Sequence, residues 1–118
     1  MNNLKAFSLG LSVLVLSSLA SAVTTTAPSS QAERKLLCAA VEQLLVIDQV
    51  DAYVDAGCSQ APAVTTVTED GTQQVQGPVV IKNREDRTGN SMTCEVTFKG
   101  EPTLGNVVGG IAEGLSCR

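Results

Sequence analysis

Residues 31–56, QAERKLLCAAVEQLLVIDQVDAYVDA, decide the fold. Leu37, Ala40, Val41, Leu44 and Ile47 recur every three or four positions, the spacing that gathers apolar side chains on one helix face. Ser30 stands immediately before, with Glu33 three residues on, so a hydroxyl and a carboxylate are placed to cap the first turn reciprocally. Gly57 is a suitable stop signal. The spacing predicts a helix over 31–56 with one irregularity. Past Ile47 the apolar stripe rotates to Val50 and Val54, while Asp48, Asp51 and Asp55 take over the line of Leu37 and Leu44. A bend or a second short helix would account for that shift.

Toward the C-terminus the hydrophobic period changes from about 3.6 to 2. Ala63–Glu69 is rich in β-branched residues, Asp70-Gly71 signals a two-residue hairpin turn, and Gln73–Gln76 returns. Gly77-Pro78 predicts an interruption, either a bulge or an edge, because proline cannot donate to a ladder. Val79–Lys82 reads as a strand and Arg84–Asn90 as a polar loop. Met92, Cys94, Val96 and Phe98 then alternate with Thr93, Glu95, Thr97 and Lys99, which turns Cys94 and Phe98 inward. The final stretch, LGNVVGGIAEGLSCR, suits a short helix or a strand pair equally. The fold class expected is α+β: an N-terminal helix packed on a small antiparallel β-sheet, a two-layer sandwich stapled by disulfides.

Toward the N-terminus, residues 23–30 (VTTTAPSS) read as a flexible leader. Residues 1–22 have the layout of a secretory signal peptide: Lys5, an apolar run from Ala6 to Leu19, and the small-x-small end Ala20-Ser21-Ala22. Residues 31–118 then form a single small disulfide-bonded domain. The expected destination is extracellular, or a periplasm in a Gram-negative bacterium. No later segment has the apolar length for stable membrane insertion.

Cys38, Cys58, Cys94 and Cys117 make an even count in an exported chain, which implies two disulfides. No two are spaced as zinc knuckles require, so no metal is expected. An unbroken helix would hold Cys38 and Cys58 on the order of 27 Å apart, where a bridge needs Cα atoms within about 7 Å. Each would then pair with Cys94 or Cys117; a break near Ile47-Asp48 would permit the Cys38–Cys58 bridge, and all three connectivities of four cysteines stay open.

Composition excludes much. There is no His and no Trp, and Tyr53 and Phe98 are the aromatics beyond the signal segment. Triads, Cys-His pairs and His-ligated zinc are therefore out. With a net charge of −4, the chain lacks the footprint of a nucleic-acid binder. Asp48, Asp51 and Asp55 read as a solvated helix face rather than a cation site, and no spacing singles out two carboxylates for acid–base work. No cofactor is expected.

Gln73-Gln74-Val75-Gln76-Gly77 carries the Q-x-V-x-G spacing of the cystatins. A helix precedes it, strands follow, and Cys94 and Cys117 resemble the late cystatin cysteine pair in separation. The resemblance implies a hairpin at Gln73, Val75 and Gly77 that enters the cleft of a papain-type protease. It covers five residues and a loose topology. Thr103 follows Pro102 where the family's second hairpin has Trp, and residues 23–56 hold no Gly for the N-terminal trunk.

The expected function is that of a small secreted, non-catalytic interaction protein: an effector with a virulence role, a toxin or an inhibitor that binds an extracellular or host protein. The alternatives are a cystatin-like inhibitor and, from a different class, a small carboxylate-dependent hydrolase. The candidate contacts are Arg84, Glu85, Asp86 and Arg87 in the polar loop, and Gln73, Val75 and Gly77 in the preceding turn.

Overall fold

The computed structural model describes residues 24–118; the signal-like segment lies outside them. The described chain is one main helix on a six-stranded antiparallel sheet. In chain order the elements are β1 (Thr25–Pro28), α1 (Gln31–Ile47), β2 (Ala52–Val54), a 3-10 turn (Cys58–Gln60), β3 (Val64–Val67), β4 (Thr72–Asn83) and β5 (Gly89–Lys99). A second 3-10 turn (Leu104–Asn106), the single helical turn α2 (Ile111–Gly114) and β6 (Leu115–Cys117) follow. The strands lie in the order β1-β3-β4-β5-β6, with β2 also pairing to β4.

The capping expected at the helix start is present. Glu33 N–H donates to Ser30 Oγ at 3.1 Å and Ser30 N–H to Glu33 Oε1 at 2.7 Å. Leu36, Leu37, Ala40 and Val41 are buried against the sheet face carrying Val75, Val79, Cys94, Val96 and Phe98. Cys94 and Phe98 are fully buried, as the alternation along β5 requires. Truncating a residue such as Phe98 in such a core costs about 3–5 kcal/mol.

The helix ends at Ile47, ten residues before Gly57. The stop is a Schellman motif: Gln49 N–H donates to Val46 O at 3.1 Å and Val50 N–H to Leu45 O at 3.0 Å. Gln49 takes the left-handed position, at φ 54°, where glycine is usual. A glutamine there hides the stop from a reading based on Gly. Asp48, Asp51 and Asp55 accordingly share no helix face, since Asp51 and Asp55 flank β2. The break lets Cys38 meet Cys58 across 6.1 Å between Cα atoms, and Cys94 pairs with Cys117 on β6.

One further expectation is corrected, and of the two offered for Gly77-Pro78 the edge holds and the bulge does not. Thr25–Pro28, part of the segment read as a flexible leader, pairs with Val64–Val67 as an edge strand. Its threonines suit an extended backbone, and Ser29 anchors its end by donating from N–H to Ala63 O. Gly77-Pro78 does not interrupt β4. Val80 O accepts from Asp55 N–H, so Pro78, two residues earlier, directs its backbone to the same side. That side of β4 is unpaired between Gln76, opposite β3, and Ile81, opposite β2. Pro78 thus sits at a local edge, where its missing N–H breaks no ladder bond. The last stretch is both a helical turn and a strand.

Candidate functional site

The polar loop forms the β4–β5 hairpin tip. Asn83 and Thr88 close it, with Asn83 N–H donating to Thr88 O at 2.8 Å and Arg87 N–H to Asn83 O at 2.9 Å. Asn83 Oδ1 accepts from Glu85 N–H at 2.8 Å and Asp86 N–H at 3.3 Å, so the loop is ordered from inside. Asp86 Oδ1 accepts from both Thr88 N–H at 3.0 Å and Thr88 Oγ1 at 2.8 Å. Those two bonds hold the Asp86 carboxyl below its ordinary pKa. Glu85 and Asp86 therefore differ: Asp86 is spent on the turn, and Glu85 projects into solvent.

Arg84 leans back onto β2. Its guanidinium carbon lies 5.5 Å from the Tyr53 ring centroid, its Nε is 3.4 Å from Asp51 Oδ1, and its Nη2 is 3.5 Å from Ala52 O. Arg87 has no ion pair among the described residues. Tyr53, Arg84 and Arg87 line an open cleft of about 350 Å³, with no carboxylate in its wall.

The same end carries α1's exposed terminus. Val46 is 68% exposed, Ile47 53% and Val50 49%, the three largest such values among the exposed large hydrophobics. They lead directly into Asp51–Tyr53, and Arg84 N–H donates to Asp51 O. Apolar surface and guanidinium groups are thus brought to one end of the molecule. The rotated stripe at Ile47 and Val50 was the sequence signal for it, marking residues that leave the core face when the helix stops.

Gln73, Val75 and Gly77 do not join this end. They lie within β4, not in a turn: Gln73 and Val75 pair with β3 and β5 on both sides, and Gly77 with β5 alone. Val75 is fully buried, and a Cβ on Gly77 would come within 2.9 Å of Ala63 Cβ and 3.1 Å of Pro62 O. Gln73 Nε2 donates to Gly100 O at 3.1 Å. Gly77 is seven residues from Arg84, about 23 Å along an extended strand. Val75 and Gly77 face the core and offer a partner no side-chain surface, while Gln73 is half-buried, so the motif is not presented as an exposed turn.

One signal went unread in the sequence. Glu69-Asp70-Gly71-Thr72 and Glu85-Asp86-Arg87-Thr88 differ at a single position, and each forms a hairpin turn. Asp70 Oδ1 accepts from Thr72 N–H at 3.0 Å, as Asp86 does from Thr88. Thr68 and Thr72 close the first turn around three residues, one more than expected. The left-handed position holds Gly71 at φ 88° in the first and Arg87 at φ 64° in the second. Among the described residues every other positive-φ position is glycine except Gln49, which also lies at the exposed end of α1. A non-glycine residue in this conformation costs about 1–2 kcal/mol.

No family model, curated protein or solved structure matches the chain. The site rests on its own chemistry. Asp55 is held below its ordinary pKa by a hydrogen bond from Lys82 and by Gly57 N–H, and Asp70 is lowered to about 2 by Thr68 Oγ1 and Thr72 N–H. Each resolved carboxyl shift among the described residues is therefore downward, the direction opposite to that of a general acid. The described residues contain no cluster of three or more candidate metal ligands and no helix long and apolar enough to cross a membrane.

Proposed function

We propose that this is an exported, disulfide-stapled interaction protein, of the effector, toxin or inhibitor kind, that acts by binding a partner protein. The binding end comprises Val46, Ile47 and Val50 with Tyr53, Arg84 and Arg87. The observation that carries the reading is Arg87. The chain uses glycine at the left-handed position of its other hairpin turn, sixteen residues earlier, yet bears an arginine at the left-handed position of this longer turn, at an energetic cost. Residues held in such conformations cluster at sites where the side chain itself is used. The neighbouring apolar residues add area a partner would cover, and interface centres favour Arg and Tyr beside apolar groups. The two disulfides suit an oxidising, extracellular compartment.

The test compares the native protein with the variant Val46→Ser/Ile47→Ser/Arg87→Gly as baits in extracellular fluid from the target tissue. A partner retained by the native protein, competed off by free native protein and not by the variant, is the expected result. Identical retention by both baits would remove this end from the function.

A further inference from the structure

We infer that the cleft between Tyr53, Arg84 and Arg87 is an oxyanion site that receives an acidic side chain of the partner. This deepens the proposed function and rests on it. The cleft wall presents two guanidinium groups and a phenol ring, and no carboxylate lines it. Of the neighbouring acids, Asp86 is engaged by Thr88 and Asp51 pairs with Arg84 Nε, while Glu85 is exposed and does not line the cleft. Arg84 is positioned before any ligand arrives, by the Tyr53 ring beneath it and Asp51 beside it, which leaves Nη1 free to donate. Arg87 brings a second, unpaired guanidinium, held at the cleft by a turn whose backbone is fixed by Asn83 and Asp86. Planar guanidinium donors recognise carboxylates with two parallel hydrogen bonds, and ordering before binding reduces the entropy lost. The left-handed backbone at Arg87 is then explained by use: glycine would serve the turn but leave the cleft one cation short.

Tyr53 is the only tyrosine, and the chain has no Trp, so its fluorescence reports on this cleft alone. The disulfide-intact protein is titrated at low ionic strength with N-acetylated, C-amidated hexaglutamate, with hexaglutamine as the control and inorganic phosphate in a separate arm. Backbone and arginine Nε NMR shifts are followed in parallel. Saturable changes at Tyr53, Arg84 and Arg87 with hexaglutamate alone are expected, about tenfold weaker in Arg87→Gly and unchanged in Lys99→Gln. Phosphate that competes for the same resonances supports the shared oxyanion chemistry. Phosphate binding without hexaglutamate binding overturns the assignment to an acidic side chain. Equal responses to the two peptides, or shifts spread over Lys35 and Lys99, overturn the site altogether. If the site fails while the bait comparison still loses its partner, the proposed binding end stands and only its ligand chemistry falls.

Discussion

The two hairpin turns of this protein are nearly the same experiment performed twice. Both read Glu-Asp-x-Thr, both place an aspartate carboxylate on the following threonine N–H, and both need a left-handed residue between the two. At Gly71 the sequence meets that need with the residue that adopts the conformation without steric cost, and a Cβ there would meet nothing within 4 Å. At Arg87 it does not. The first turn is accounted for by folding alone, and the second carries a side chain that folding does not require. On the proposed function, the difference separates the part of the molecule built for stability from the part that binds.

The comparison is broken most severely by copying the second turn into the first. Gly71→Arg should lower the stability by about 1–2 kcal/mol in a denaturant titration, since arginine there takes on the cost of the left-handed backbone. A neutral outcome would mean that the left-handed position costs little here, and the reading of Arg87 would lose its basis. The helix terminus offers the same logic at a third position. Gln49→Gly should raise stability by about 0.5–1 kcal/mol, because glycine is favoured at this point of a Schellman motif. Arg84→Ala should change stability by no more than about 0.5 kcal/mol, because its ion pair with Asp51 is well exposed, at 62% and 76% of the two side chains. A larger loss would make Arg84 a structural residue instead of a contact.

Acid sharpens the comparison by acting on both turns at once. The Asp70 carboxyl is depressed to about 2 and that of Asp86 also lies below its ordinary value. For a depressed carboxyl the stabilisation is present above the unfolded pKa near 3.9 and is lost as pH falls through the folded value. The Thr72 amide shift should therefore hold steady above about pH 4 and move with Asp70 as pH approaches 2, while that of Thr88 should follow Asp86 below the ordinary carboxylate value. Titration of Asp70 at an ordinary value would show that its turn is not held as described.

Much of the fold was legible because local and global signals agree. Ser30 and Glu33 mark the helix start, Asp70-Gly71 marks the first hairpin, and the alternation from Met92 to Phe98 marks β5. The helix end was hidden because Gln49 stands where glycine would have announced it, and with it went the pairing of Cys38 with Cys58. Pro78 marked an edge correctly but not which one: whether a proline breaks a sheet depends on which side its nitrogen faces, and that follows from where β2 and β3 pair with β4. The loop residues Arg84–Arg87 could be singled out by charge, but their grouping with Val46, Ile47, Val50 and Tyr53 depends on the break in the helix. Gln73–Gly77 shows the converse, since a short motif carries no information about burial, and Val75 is fully buried.

The central claim is that the Arg87 side chain serves binding and not the fold. Its most direct test is the unfolding free energy of Arg87→Gly, which gives both turns the stretch Glu-Asp-Gly-Thr. The account predicts that the variant is more stable than the native protein by about 0.5–1 kcal/mol. A loss of stability would contradict it, because Arg87 would then be holding the hairpin together.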